Sequence, residues 1–193
     1  MKSVFGLLAL FVLSGPALSD DITVRVTDSA GEPVAHAVVS LPGELPAQPQ
    51  DVVYEMAQDH LQFDPFVLVV PRGAEVVFPN RDRVRHHVYS FARGNAFELE
   101  LYGREQERTV VFDADGNVPI GCNIHDDMIA FIRVVDTPHA AVTNADGIAV
   151  ISATAGPVTV WHPYANAADN QVVLEAPVGG AELAVTLDLH GQR

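Results

Sequence analysis

The amino-acid sequence predicts an all-β fold, built as a sandwich or barrel. Short apolar runs recur along the chain after residue 19, and Gly, Pro, Asn or Asp bounds each of them. In the same part of the chain, no segment keeps an apolar spacing of 3.6 residues for three helical turns. A chain of 193 residues can form one large or two small domains that each bury a core.

The first 19 residues have the features of a secretory signal peptide. Lys2 lies near the start, an apolar run follows from Val4 to Leu13, and Ala17-Leu18-Ser19 forms a small-x-small cleavage site. A run of about ten residues is too short for the roughly twenty that a membrane-spanning helix needs. We therefore expect residues 1–19 to be removed, and the mature chain to be periplasmic and without a membrane span.

The charge balance limits the partners. The sequence has 11 Lys and Arg residues against 25 Asp and Glu residues, a formal net charge of -14. Nucleic acids and anionic membrane surfaces repel such a chain. The balance favours a partner with a basic surface.

The predicted strands follow one another from the first hairpin onwards. In "ITVRVTD", alternation directs Ile22, Val24 and Val26 inward, "SAGEP" forms a turn, and "HAVVSL" continues the apolar pattern. The later predicted strands are "FVLVV", "AEVVFP", "HHVYSF", "RTVVFD", "MIAFIRVVD", "GIAVISA", "PVTVWHP" and "AELAVTLDL". Only strands are predicted after the signal peptide.

Two linker-like segments suggest how the chain is divided. "GELPAQPQ" at 43–50 and "DTPHA" at 136–140 are the breaks richest in Pro and polar residues. They enclose a block of strands at 51–136 and leave 20–50 and 137–193 outside it. An isolated hairpin is marginally stable in water, so the first outer piece needs further strands. We predict that the two outer pieces pair into one sandwich and that the middle block is inserted between them.

One cysteine, Cys122, lies in "GCNIHDDM", with His125 three residues later and Met128 three after that. Exported proteins use cysteines mostly in disulfide pairs, so a lone one is a free thiol, an intermolecular bridge or a metal ligand. A thiolate, an imidazole and a thioether suit copper, and a His₂Cys set with a weak axial Met forms a blue-copper site. The C-x-x-H-x-x-M spacing therefore predicts three copper ligands in one loop.

The second imidazole must come from elsewhere, and "FPNRDRVRHHVYSF" offers His86 and His87. Successive residues of a strand point to opposite faces, so only one of the two reaches a given metal. From the residues alone, either histidine could be the ligand.

Other roles for the loop are weaker. Cys122 could be a small buried apolar residue and Met128 ordinary core filling. Asp126 and Asp127 are hard donors that a blue-copper site does not need, so they are interpreted as a solvated acidic rim. A Cys122/His125 nucleophile pair lacks a third group that orients the base, and structural zinc favours more thiolates or imidazoles. The chain is therefore predicted not to be an enzyme.

The middle block resembles the cupredoxins. The resemblance lies in "FDPFVLVVPRGAEVVFPN", in a histidine after V-x-F-x-N-x-D, and in the C-x-x-H-x-x-M loop, whose spacing is similar to that of amicyanin. It implies a Greek-key sandwich with one type 1 copper ion. The ligands that it implies are His86, Cys122, His125 and Met128, with His87 as the alternative to His86. As a whole, the chain resembles exported bacterial proteins of the methylamine-utilisation type.

The outer pieces resemble a carboxypeptidase regulatory-like sandwich. "VTDSAGEPVAHAVVSL" is similar to its opening strands, and "VTNADGIAVISATAGPVTVWHP" to the strands that follow them. The resemblance implies a second, small transthyretin-like or Ig-like β-sandwich, split between 20–50 and 137–193.

These observations together predict a periplasmic blue-copper protein that transfers one electron at a time. The resemblance implies that His125 passes the electron at the surface, to a redox protein such as a c-type cytochrome with a basic surface. The alternative is a copper carrier or sensor module without a dedicated electron-transfer role. A third interpretation is a metal-free scaffold sandwich.

Overall fold

A computed structural model describes residues 20–46, 52–104, 106–153, 156–176 and 182–190. Within these ranges the chain is all-β, and a single 3₁₀ turn at Ala168–Asn170 is the one helical element. The predicted fold class is thereby confirmed. None of the described segments forms a helix with the length and apolarity needed to cross a membrane. The predicted signal peptide at 1–19 lies outside the described residues.

Seventeen strands make up the described part of the chain. In chain order they are β1 (Asp20–Asp28), β2 (Val38–Ser40), β3 (Tyr54–Glu55), β4 (Ala57–Asp59), β5 (Gln62–Asp64), β6 (Val67–Pro71), β7 (Ala74–Val77), β8 (His86–Ser90), β9 (Phe97–Tyr102), β10 (Thr109–Phe112), β11 (Gly116–Gly121), β12 (Ile129–Val135), β13 (Ala140–Val142), β14 (Ile148–Ala153), β15 (Pro157–Trp161), β16 (Gln171–Glu175) and β17 (Leu183–Leu187).

The strands from β3 to β12 form the part of the fold that carries the site. A five-stranded sheet has the order β6-β12-β11-β8-β9, a three-stranded sheet has the order β10-β7-β3, and β4 pairs with β5 in a hairpin. Strand β12 shows why this part folds: Ala130, Ile132 and Val134 alternate along it and are buried. They join a core that also contains Phe78 and Phe112. Each large apolar side chain buried there contributes roughly 1.5–3 kcal/mol.

The remaining strands form two further sheets, β14-β1-β17 and β13-β2-β15-β16. Ile22, Val24 and Val26 of β1 are buried, as the alternation predicted. Strand β1 pairs with β14 and β17, and β2 pairs with β13 and β15. Residues 20–46 thus form ladders with strands that begin after residue 139. The division into an inserted domain at 51–136 and a split outer domain stays a prediction.

A separate apolar cluster joins the two groups of strands. Val38 and Trp161 of the outer sheets pack with Val67 of β6. Phe131 of β12 contacts Trp161 edge to face at 6.2 Å between ring centroids, and Phe66 contacts Phe131 at 5.5 Å. Aromatic contacts of this kind add about 0.5–1.5 kcal/mol beyond the buried area. The outer sheets therefore brace β6 and β12, the latter being the strand that follows the Cys122 loop.

His162 lies near this seam and links folding to pH. Burial is the main cause that lowers the pKa of His162 from 6.5 to about 4, and the charge of His36 adds to it. A hydrogen bond to the backbone of Ala35 acts in the opposite direction and raises the pKa. Its Nδ1 accepts the backbone N–H of Tyr164 at 3.2 Å, a bond that protonation would remove. The unfolded chain binds this proton more readily than the folded chain. Protonation of His162 therefore costs no unfolding free energy above about pH 6.5, and it lowers the unfolding free energy increasingly as the pH drops towards 4.

We expect His162→Gln to reduce this acid sensitivity. The loss of unfolding free energy between about pH 7 and pH 4 should shrink by up to about 3 kcal/mol relative to the parent chain. Denaturant unfolding at both pH values measures it. His190→Gln, at an exposed histidine, is the matched control and should leave the pH dependence as it is. Parallel pH profiles for all three proteins would contradict the assignment to His162.

Candidate metal centre

Three predicted ligands meet at one end of the five-stranded sheet. His86 Nδ1 lies 4.0 Å from Cys122 Sγ, and His125 Nδ1 lies 3.8 Å from the same sulfur. The two imidazole rings are 5.1 Å apart between centroids. All three donor atoms lie within 4.8 Å of one another. His86 and Cys122 are buried, whereas His125 is partly exposed.

The loop from 122 to 128 is held by its own backbone and by the flanking hairpin. Strands β11 and β12 pair antiparallel up to Gly121 opposite Ile129. The N–H of Met128 donates to the carbonyl of His125 at 2.9 Å, and the N–H of Cys122 donates to the carbonyl of Met128 at 3.2 Å. These bonds fix Cys122 and His125 relative to each other. The Met128 side chain is buried in the same core cluster as Cys122.

The structure places His86 and His87 differently. His87 Nε2 lies 2.8 Å from Glu98 Oε1, and its ring is outside the cluster that His86 joins. The pairing of β8 with β9 shifts register between His86 and Val88, which is a local irregularity of the kind common beside functional sites. His87 Nδ1 is buried and makes no hydrogen bond to the described residues.

Asp82 is a site residue that the sequence reasoning missed. Its Oδ2 lies 2.8 Å from His86 Nε2, the nitrogen opposite the one that faces Cys122. Burial alone would raise the pKa of Asp82, but the Leu61 backbone amide, the hydrogen bond and charge of His86, and the His60 amide together lower it. Asp82 is the last residue of the V-x-F-x-N-x-D motif and lies four residues before His86, but neither feature reveals that the loop brings the two side chains together.

Asn80 organises the loop that carries Asp82, and the sequence reasoning gave it no separate role. The buried Asn80 amide donates to the carbonyls of Val84 at 2.9 Å and Tyr102 at 3.0 Å. Its Oδ1 accepts the N–H of Asp82 at 2.9 Å. Three hydrogen bonds from one buried side chain therefore set the path of the chain from β7 into β8.

The donor set fits a copper ion. Metal–nitrogen bonds of ~2.0 Å and metal–sulfur bonds of ~2.3 Å in a trigonal plane separate the donors by ~3.5–3.8 Å. The observed Nδ1–Sγ separations of 4.0 and 3.8 Å are close to that spacing. A soft sulfur with two imidazoles is the donor chemistry of copper sites. Asp126 and Asp127 are exposed on the same loop, and the donor cluster found among the described residues does not include them.

Fold and site together define an all-β sandwich protein with a buried His-Cys-His cluster. No protein-family model and no curated protein matches the chain. Solved cupredoxin structures do match, at low identity and over part of the chain. A purple cupredoxin from Nitrosopumilus maritimus is 19% identical with a TM-score of 0.38, and covers 42% of this chain and 99% of its own.

Two further structures broaden this comparison. The reduced Cu(I) form of an amicyanin point mutant is 21% identical with a TM-score of 0.41, over 50% of this chain and 98% of amicyanin. A Cu-containing nitrite reductase from Thermus scotoductus SA-01 is 25% identical with a TM-score of 0.42, and covers 58% of this chain. This chain spans only 28% of the reductase. The resemblance of the outer pieces to a carboxypeptidase regulatory-like sandwich stays a prediction.

One prediction needs correction. The chain is predicted not to be an enzyme, but a copper-containing nitrite reductase is among the similar structures. The likeness assigns no activity to this chain, and the exclusion is withdrawn.

Proposed function

We propose that the protein binds one copper ion, which His86, Cys122, His125 and Met128 would hold, and that it transfers single electrons in the periplasm. The observation that carries the proposal is the convergence of two Nδ1 atoms and one Sγ atom within 4.8 Å of one another. Two separated segments of the chain supply these atoms, so the cluster is not a by-product of a single turn.

The surroundings of the cluster suit electron transfer. When bound, copper supplies the exchange of one electron between Cu(I) and Cu(II), and the thiolate favours the softer state while the imidazoles hold the harder one. His86 is fully buried and Cys122 is nearly so, which excludes water from the donors. The hairpin and its two loop hydrogen bonds hold the donors in place. The partly exposed ring of His125 connects the cluster to the surface.

Copper reconstitution of the mature chain tests the proposal. We expect one copper ion per chain, an intense visible band in the oxidised protein that disappears on reduction, and a reversible one-electron wave in voltammetry. Absence of stoichiometric copper binding would contradict the copper site. Tight binding with an irreversible wave would instead identify a copper carrier or sensor.

We further propose a redox partner with a basic surface, because Asp126 and Asp127 are exposed on the loop that presents His125. Charge steers such encounters mainly through the association rate. The bimolecular electron-transfer rate with a c-type cytochrome should fall as salt shortens the Debye length to about 8 Å. Stopped-flow measurements of the Asp126→Asn, Asp127→Asn double variant should show a weaker salt dependence.

The control for this double variant removes the same charge elsewhere. Glu32→Gln with Asp146→Asn neutralises two exposed carboxylates in the outer sheets' turns. It should keep the salt dependence of the parent chain. Equal salt slopes for both double variants would place the docking surface away from the Cys122 loop.

A further inference from the structure

We propose that Asp82 is a positioning residue: its carboxylate, held by the turn between β4 and β5, keeps the His86 imidazole with Nδ1 facing Cys122, and it lowers the reduction potential of a metal ion bound there. The part about potential rests on the proposed function. The part about His86 rests on hydrogen bonds between residues of the chain itself.

The turn between β4 and β5 receives the Asp82 carboxylate. His60 and Leu61, between β4 and β5, have φ values of 53° and 58°. The left-handed region costs a residue other than glycine roughly 1–2 kcal/mol. Here it directs two successive N–H groups at one side chain: His60 donates to Asp82 Oδ1 at 2.9 Å, and Leu61 donates to Oδ2 at 3.0 Å. Successive amides of this kind form a small anion-binding concavity.

The Asp82 carboxylate also sets the tautomer of His86. An ionised carboxylate only accepts hydrogen bonds, so the Nε2 atom that lies 2.8 Å from Asp82 Oδ2 must carry the hydrogen. In the neutral ring, the other nitrogen is then the acceptor. That nitrogen is Nδ1, which lies 4.0 Å from Cys122 Sγ. Asp82 thus presents a lone pair, rather than an N–H group, to the metal cluster.

Hydrogen bonds and burial hold Asp82 and His86 rigidly in place. Asp82 is braced on one side by the turn amides and on the other by Asn80, whose Oδ1 accepts the Asp82 N–H. Its side chain is only 13% exposed and that of His86 is 0% exposed. The ring therefore has little room to rotate. Carboxylates that hold a metal-binding histidine in this way typically change metal affinity by about 10–100-fold when they are removed.

The chain contains a matched comparison. His87 Nε2 lies 2.8 Å from Glu98 Oε1, the same separation as in the Asp82–His86 pair. Glu98, however, is 68% exposed, and His87 is not part of the donor cluster. Glu98→Gln removes a carboxylate from a histidine of the same strand without touching the cluster, so it controls for the loss of one charge and one histidine contact.

Nitrogen-15 NMR of the metal-free protein tests the positioning. Long-range nitrogen–proton couplings report which ring nitrogen of a neutral histidine carries the hydrogen. We expect His86 of the parent chain to be in the Nε2–H form, and Asp82→Asn to introduce the Nδ1–H form. Glu98→Gln should leave His86 unchanged. An Nδ1–H form in the parent chain would overturn the proposal even if Asp82→Asn failed to fold.

Reduction potentials of the copper-loaded protein test whether Asp82 lowers the potential of the bound metal. The Asp82 charge stabilises the more positive Cu(II) state, so Asp82→Asn should lower the Cu(II)-to-Cu(I) affinity ratio about tenfold, which raises the potential by about 59 mV. Glu98→Gln should change the ratio less than about twofold, since its charge is screened by solvent. A shift in Asp82→Asn no larger than in Glu98→Gln would overturn the tuning. A failure of copper to bind the parent chain would refute the proposed function, and the NMR result would still decide the positioning.

Discussion

Replacing Cys122 by serine is expected to abolish the intense visible absorption of the copper-loaded protein. Cys122 Sγ is the atom that both imidazole nitrogens approach, at 4.0 and 3.8 Å. A hydroxyl is a hard, weakly acidic donor, and it cannot replace the thiolate as a soft ligand to copper. Copper titration followed by visible spectroscopy measures the loss. A spectrum that survives the substitution would refute the copper site as assigned.

The control for Cys122→Ser is Asn123→Ser. Asn123 is the next residue of the same loop and is exposed, so this change introduces the same side chain without altering the donor cluster. Its visible band should match that of the parent chain. Thermal unfolding of the metal-free proteins checks that a serine at the buried position 122 leaves the fold intact.

The second large effect is expected at His86. His86→Ala removes one of the three converging donor atoms, so Cu(II) affinity should fall by more than about 100-fold, above the range for residues that only support a ligand. His87→Ala removes a ring that contacts Glu98 instead. Its copper affinity should change by less than about tenfold.

A competition titration with a chelator of known copper affinity measures both variants of this pair. The two alanine changes are matched in chemistry and in strand, and they differ in whether the lost imidazole belongs to the donor cluster or lies beside Glu98. A larger loss in His87→Ala than in His86→Ala would show that the ligand assignment is off by one residue.

The strands were predictable because the alternation of apolar and polar residues within each strand shows which of its faces is buried. In β1, the alternation of Ile22, Val24 and Val26 reflects one buried face, and those side chains are buried. The same holds for β12, where Ala130, Ile132 and Val134 line the core. By contrast, sheet order is set by contacts between distant segments. Strand β1 pairs in parallel with β17, and no local pattern in β1 predicts that pairing.

The loop ligands were predictable from a local pattern, whereas the choice of the upstream histidine depended on contacts between distant segments. Cys122 and His125 lie in one short loop, so their spacing alone predicted that they would be close, and their donor atoms are 3.8 Å apart. His86 is 36 residues from Cys122, and only the packing of β8 beside β11 brings them together. From sequence, strand alternation limited the choice to one of His86 and His87 but could not identify the face of β8 that meets the loop.

The sequence by itself determined the all-β class, the acidic charge and the Cys122–His125 loop, because these depend on composition, on short-range periodicity and on spacing within one turn. Only the tertiary structure decided that His86 faces Cys122, and that Asp82 lies behind it on the amides of His60 and Leu61. Those contacts join three loops that are separate in the chain. Such contacts form only when complete sheets have packed, and a local pattern does not encode that packing.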